Sequence, residues 1–128
     1  MPDTPPPSDA ELRILQALWE QPDASVHDVH QWICTHERDL SYTTVLTQLQ
    51  RMHKKGLVKR SRDGLQHRYR PTSSRAETEA DLIHRLSDKV SDGSPVKLAL
   101  KALGTDQPSR EELDQLRQWL DAQQQDHE

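Results

Sequence analysis

Phenylalanine is absent from this chain and cysteine occurs once, at Cys34. A single thiol excludes an internal disulfide framework and fits a reducing compartment. No apolar run approaches the length of a membrane span, and the opening Met-Pro-Asp-Thr-Pro-Pro-Pro has neither a basic nor an apolar signal region. The expectation is therefore a soluble, cytoplasmic protein with no membrane contact. Apolar residues are also scarce, at 32% of 128 residues, with a mean hydropathy of −0.97. A chain this poor in apolar surface is expected to complete part of its core in a partner subunit. No Gly-rich phosphate loop is present, and nothing brings an acid, a base and a nucleophile together, so an enzyme is not expected.

What the chain has in excess is positive charge in one place. Between Ser41 and Pro71 stand eight Lys or Arg (Arg51, Lys54, Lys55, Lys59, Arg60, Arg62, Arg68, Arg70) against one acid, Asp63. That segment carries +7, and the whole-chain value of −4 then leaves −11 for the remainder. A patch of one sign on this scale suits phosphates, whatever the overall isoelectric point.

The pattern beneath the charge changes period within that segment. Ser41 can cap a helix in which Val45, Leu46, Leu49 and Met52 form an apolar stripe. Thr43, Thr44, Thr47, Gln48, Arg51, Lys54 and Lys55 make its polar face, and Gly56 is placed to end it. From Leu57 the spacing alternates through Arg62 and again from Leu65 to Arg70, with Asp63-Gly64 read as the hairpin turn. Upstream, Ser8 with Glu11 and Ser25 with Asp28 each spell a helix start. The order helix, helix, turn, helix, hairpin is the outline of a winged helix-turn-helix.

Residues 1–7 hold four of the eight prolines and are expected to be a disordered lead-in. The winged-helix domain is expected over 8–72 and a helical dimerisation region over 73–128. In the latter, Leu82, Ile83, Leu86 and Val90 mark one helix. Leu100 and Leu103 mark a second, closed by Gly104, and Leu113, Leu116, Trp119 and Leu120 a third that frays beyond Ala122. These stripes are too short to satisfy one another alone, so a homodimer is expected. The fold class is mainly α with a small β-hairpin. His27, His30 and Cys34 share a helix face at a spacing open to a soft metal, but no fourth ligand accompanies them. No metal or cofactor is expected.

Five runs carry a family likeness: Leu12–Trp19 (L-R-I-L-Q-A-L-W), Val26-His27-Asp28-Val29, Tyr42-Thr43-Thr44-Val45-Leu46-Thr47, Arg51-Met52-His53-Lys54-Lys55-Gly56-Leu57-Val58 and His67-Arg68-Tyr69-Arg70-Pro71. With the later Asp-Gly-Ser-Pro joint and the closing S-x-E-E-L-x-x-L run, the chain resembles the penicillinase-repressor (BlaI/MecI) family from about Asp9 to Ala122. The resemblance implies a dimeric transcriptional repressor on a double-stranded operator dyad, with a regulatory protease as a possible partner. Copper sensing, which relatives perform through C-terminal Cys-x-Cys pairs, is not implied, because such a pair is missing.

On this reading Thr43, Thr44 and Thr47 reach base edges, and Gln48 and Arg51 are placed for bidentate contacts. Tyr42, Lys54, Lys55, Lys59, Arg60, Arg62, His67, Arg68 and Arg70 grip phosphates. Two other classes fit the same residues: a winged-helix protein-interaction module, and a regulator gated by a small ligand.

Overall fold

The computed structural model describes residues 5–127, and the first four residues of the expected lead-in lie outside them. Pro5 to Ser8 have no regular structure. The described residues divide into two compact units, with the boundary between Leu82 and Ile83. The division falls inside a helix, whereas the sequence pattern places it at that helix's start.

The first unit is built from α1 (Asp9–Glu20), β1 (Ala24–Ser25), α2 (Val26–His36), α3 (Tyr42–Lys55), β2 (Val58–Asp63) and β3 (Gln66–Pro71), and it takes in the first part of α4 (Arg75–Val90). Local chemistry sets the helix starts. At Ser8 and Ser25 the side chain accepts from the third helical amide, while Glu11 or Asp28 reaches back to the cap amide. Each exchange satisfies two orphan donors. Gly56, at φ 85°, ends α3 in the left-handed conformation that glycine adopts without a Cβ penalty.

Apolar residues from α1, β1, α2, α3 and the hairpin meet in one core. Ile14, Leu15, Ala17 and Leu18 of α1 pack with Val29 and Ile33 of α2, Val45, Leu49 and Met52 of α3, and Val58 and Tyr69 of the hairpin. The sheet has the antiparallel order β1-β3-β2, with Ala24 opposite Tyr69 and Ser25 opposite Arg68. A two-residue strand leaves no periodic trace, so β1 has no counterpart in the sequence reading. Helix α3 is thus fixed by its apolar stripe, with the hairpin beside it.

The hairpin turn differs from expectation by one residue. Asp63 pairs with Gln66, so the loop is Gly64–Leu65 and Asp63 is the last residue of β2. Gly64 has φ 65°, and Leu65 is not among the residues with positive φ. A turn of the II′ pattern needs positive φ only at its first central position, which leaves any residue free to occupy the second.

In the second unit, the end of α4 is followed by α5 (Pro95–Thr105) and α6 (Arg110–Asp126). Ser94 caps α5, with Pro95 in its first turn, and Ser109 with Glu112 caps α6. Gly104 does not close α5, which continues to Thr105, whose hydroxyl donates to the Ala102 carbonyl. Nor does α6 fray at Ala122. It continues to Asp126, and the His127 amide closes it on the carbonyls of Gln123 to Gln125. Glutamine is a good helix former, so the run extends at little cost.

These helices pack little against one another. The residues they bury, Ser87 and Ser91, are not apolar. Ile83, Leu86, Val90, Leu100, Leu113, Leu116, Trp119 and Leu120 are all exposed. Leu82 and Leu103 are half-buried.

Candidate nucleic-acid interface

Helix α3 turns its stripe of Val45, Leu49 and Met52 inward and leaves the other side open. Thr43, Thr47, Gln50 and Lys54 stand at i, i+4, i+7 and i+11, and all are exposed, as are Thr44 and Arg51 beside them. Gln50 is the residue the sequence reading missed. Counting seven on from Thr43 puts it in the centre of the face.

Gln48 lies at the edge of that face. It borders a small recess with Ile14, Ile33 and Leu40, and its Oε1 is buried without a hydrogen-bond partner among the described residues. Thr44 has its hydroxyl 2.8 Å from the Ser41 hydroxyl, so that group is committed to the helix start. Tyr42 is half-exposed, and its ring meets that of His30 edge-on at 5.9 Å.

Adjacent lysines at the end of α3 do different things. Lys55 donates to Glu11 Oε2 at 2.9 Å, tying α3 to the first turn of α1. Glu11 is buried, which by itself raises a carboxyl pKa. The Ser8 amide and the Lys55 ammonium outweigh that and hold it below the ordinary value. Lys54 has no such partner. Neither do Arg51, Lys59, Arg60 and Arg62 among the described residues.

Alternation divides the hairpin into two faces. Val58, Arg60 and Arg62 pair with Pro71, Tyr69 and His67. Because Val58 and Tyr69 are core residues, this face is the one turned towards the helices. Lys59 shares the other with Arg68 and Arg70, and both arginines are engaged. Arg68 Nε donates to Asp63 Oδ2 at 2.8 Å and its Nη1 to the Asp23 carbonyl at 3.0 Å. Arg70 lies 2.8 Å from Asp23 Oδ1. Acids absorb these two cations, and five remain uncompensated.

A recess of about 200 Å³ separates the start of α3 from the hairpin, lined by Tyr42 and Leu46 on one side and Leu65, Gln66 and His67 on the other. The possible metal face does not assemble. His30 Nε2 is 2.7 Å from the Leu40 carbonyl and Cys34 Sγ is 3.5 Å from the same nitrogen, while His27 is exposed. No group of three or more His, Cys, Asp or Glu among the described residues is placed to hold an ion. No described helix is long and apolar enough to cross a membrane.

Three helices, a three-stranded sheet and a basic hairpin beside an open polar helix define a winged helix-turn-helix protein. The fold is shared with a MarR family protein from Bacillus stearothermophilus, which aligns over 96% of this chain and 76% of that one at 23% identity and a TM-score of 0.51. The penicillinase repressor family model matches residues 7–122, and the chain belongs to that family.

Among curated relatives, the transcriptional regulator BlaI of Mycobacterium tuberculosis (strain H37Rv) is 42% identical over 76 residues, 59% of this chain. The match spans about half, 54%, of that relative's length. The penicillinase repressor of Bacillus licheniformis is 26% identical over 114 residues, 89% of this chain and 88% of the relative. The solution structure of the Bacillus licheniformis BlaI monomeric form in complex with the blaP half-operator covers 58% of this chain and 89% of that one, at 26% identity and a TM-score of 0.49. These relatives are regulators rather than enzymes by name.

Proposed function

We propose that this protein is a sequence-specific DNA-binding transcriptional repressor that acts as a two-fold dimer on an operator dyad. The observation that carries the reading is the uncompensated row on α3 and the hairpin: Arg51, Lys54, Lys59, Arg60 and Arg62 have no internal partners among the described residues. The names of the relatives, a penicillinase repressor among them, support it.

Helix α3 enters the major groove. Thr43, Thr47, Gln50 and Arg51 face the bases, where Gln can pair with adenine and Arg with guanine in bidentate fashion. Lys54, Lys59, Arg60 and Arg62, with Tyr42 and His67 at the recess, hold phosphates and so set register without reading sequence. Lys55, Arg68 and Arg70 are held by acids and serve chiefly to brace the domain.

The second unit supplies the pairing. Its half-exposed leucines, Ile83, Val90 and Trp119 form more apolar surface than a soluble helix leaves uncovered, and a second copy of the same surface buries it. Twinning places two α3 helices one helical turn apart, roughly 34–36 Å. Each half-site alone offers few phosphate contacts, so the dimer gains through effective concentration. Separating the C-terminal helices, by a protease or otherwise, releases the operator by the same linkage.

Selection of bound duplexes from a random pool tests the whole reading. A motif with dyad symmetry is expected, its half-sites about 10 base pairs apart. Recovery of no motif, or of an asymmetric single site by a protein that sediments as a monomer, overturns it.

A further inference from the structure

Leu65 is wholly exposed, at 100%, whereas the other exposed large apolar side chains range from 37% to 66%. It sits at the second central position of the hairpin loop, where the turn makes no demand for an apolar residue and polar ones are usual. Removing it from water would contribute nothing to this fold, because its side chain touches no core. Asp63 and Gln66 close the loop, and Arg62 and His67 form the next pair, on the face turned towards the helices; the Asp63 carboxylate is engaged by Arg68. Leu65 also forms part of the recess wall opposite Tyr42.

Resting on the DNA-binding reading above, we infer that Leu65 is a minor-groove wedge, making the hairpin tip a second specificity-determining element beside α3. The geometry follows from the duplex. With α3 in the major groove, the backbone strand bounding that groove runs past the start of the helix, where the recess of about 200 Å³ has room for sugar and phosphate. Gln66 and His67 on one wall and Tyr42 on the other supply donors to that phosphate, and Arg62, paired with His67, adds charge beside them. The tip then projects past the strand into the adjoining minor groove, whose floor lacks an exocyclic amino group over A·T pairs and carries one over G·C pairs. An apolar tip fits the A·T floor and is obstructed by the amino group, so Leu65 reads base composition next to the half-site through shape. A charged partner protein would have no use for this leucine, whereas a groove flanked by phosphates suits an apolar tip with Arg60 and Arg62 uncompensated on the strand behind it.

The test uses the full chain and the duplex recovered by selection, measured by fluorescence anisotropy. Leu65→Ser is compared with the parent on two versions of the duplex: unmodified, and with 2,6-diaminopurine replacing the flanking adenines. That base adds an amino group to the minor-groove floor and leaves the major-groove edge as it was. Burying a leucine is worth roughly tenfold or more in an equilibrium constant, so Leu65→Ser is expected to bind the unmodified duplex about tenfold more weakly per half-site, about a hundredfold for a dimer on its dyad. Diaminopurine should weaken the parent to a similar degree and add little to the variant's deficit.

The salt slope should be the same in both proteins, because every phosphate keeps its cation. Since Leu65 packs on nothing, the variant should melt where the parent does. Equal affinity of parent and variant, or an equal diaminopurine penalty in both, overturns the wedge while leaving the DNA reading standing. A parent that binds no duplex overturns both.

Discussion

Lys54 and Lys55 are neighbours with the same side chain, but only Lys55 has an internal partner among the described residues, which makes them a controlled experiment. Lys55 donates to a Glu11 carboxylate whose side chain is 6% exposed, while its own is 36% exposed. Lys55→Met removes the cation and leaves the carboxylate held by the Ser8 amide alone. Stranding a fully buried charge costs about 3–5 kcal/mol, and an exposed pair contributes about 0–1 kcal/mol. Solvent reaches one side of this pair, so about 1–2 kcal/mol is expected. For a domain of this size that lowers Tm by about 5–15 °C. Lys54→Met removes no internal contact and should leave Tm within the scatter of surface substitutions, about ±0.5 kcal/mol.

DNA binding should sort the two the other way. Each phosphate that gives up its cation flattens the plot of log affinity against log salt by about 0.9. Lys54→Met therefore flattens the slope by about two in a dimer on its dyad, and Lys55→Met barely changes it once measured well below its lowered Tm. Acidity gives a further check through Glu11. Its pKa is depressed in the folded state, because the Ser8 amide and Lys55 more than offset the rise that burial imposes. Its contribution to stability is thus complete above the unfolded value of about 4.3 and is lost as pH falls through the lower folded value. The parent should lose stability across that acid window more steeply than Glu11→Gln, as followed by circular dichroism. A Lys55→Met protein that melts like the parent but binds DNA with a flattened slope would refute this division of labour.

Leu116→Asp, on the apolar face of α6, should convert a sedimenting dimer to monomer and reduce operator affinity by about 10²–10⁴-fold, the usual scale of avidity. An intact dimer in that variant rules out α6 as the interface. Asp23→Asn keeps a residue that tolerates φ 63° while freeing Arg70 from its ion pair. General DNA affinity should rise and the salt slope steepen by about one per subunit, with a stability cost below about 1 kcal/mol. Unchanged binding would place Arg70 out of reach of the backbone. Arg51→Ala should relax preference at a single operator position by about 1–3 kcal/mol in a repeated selection, without altering preference elsewhere.

What was legible in the chain follows the range of the interaction concerned. Ser8 with Glu11, Ser25 with Asp28 and Ser109 with Glu112 are separated by three residues, and each makes the capping box its spelling describes. Phase errors of one or two residues were the next tier. Gln50 rather than Gln48 lies in the middle of the open face, and Gly64–Leu65 rather than Asp63–Gly64 forms the loop. A helix edge blurs between 100° steps, and two turn types accept glycine at different positions.

Contacts made across long stretches of chain left no trace at all. Glu11 meets Lys55 across 44 positions and Asp23 meets Arg70 across 47, so eight apparently equivalent cations separate into engaged and free only when the chain is folded. That sorting bears directly on function. A count of charge predicts attraction to phosphate, but specificity depends on which cations the fold leaves uncompensated and which side chains it stands between them. On the reading proposed above those are two threonines and a glutamine along α3 and a leucine at the hairpin tip. If that reading holds, the acids that engage Lys55, Arg68 and Arg70 narrow a broadly sticky surface to one line of contact along a duplex.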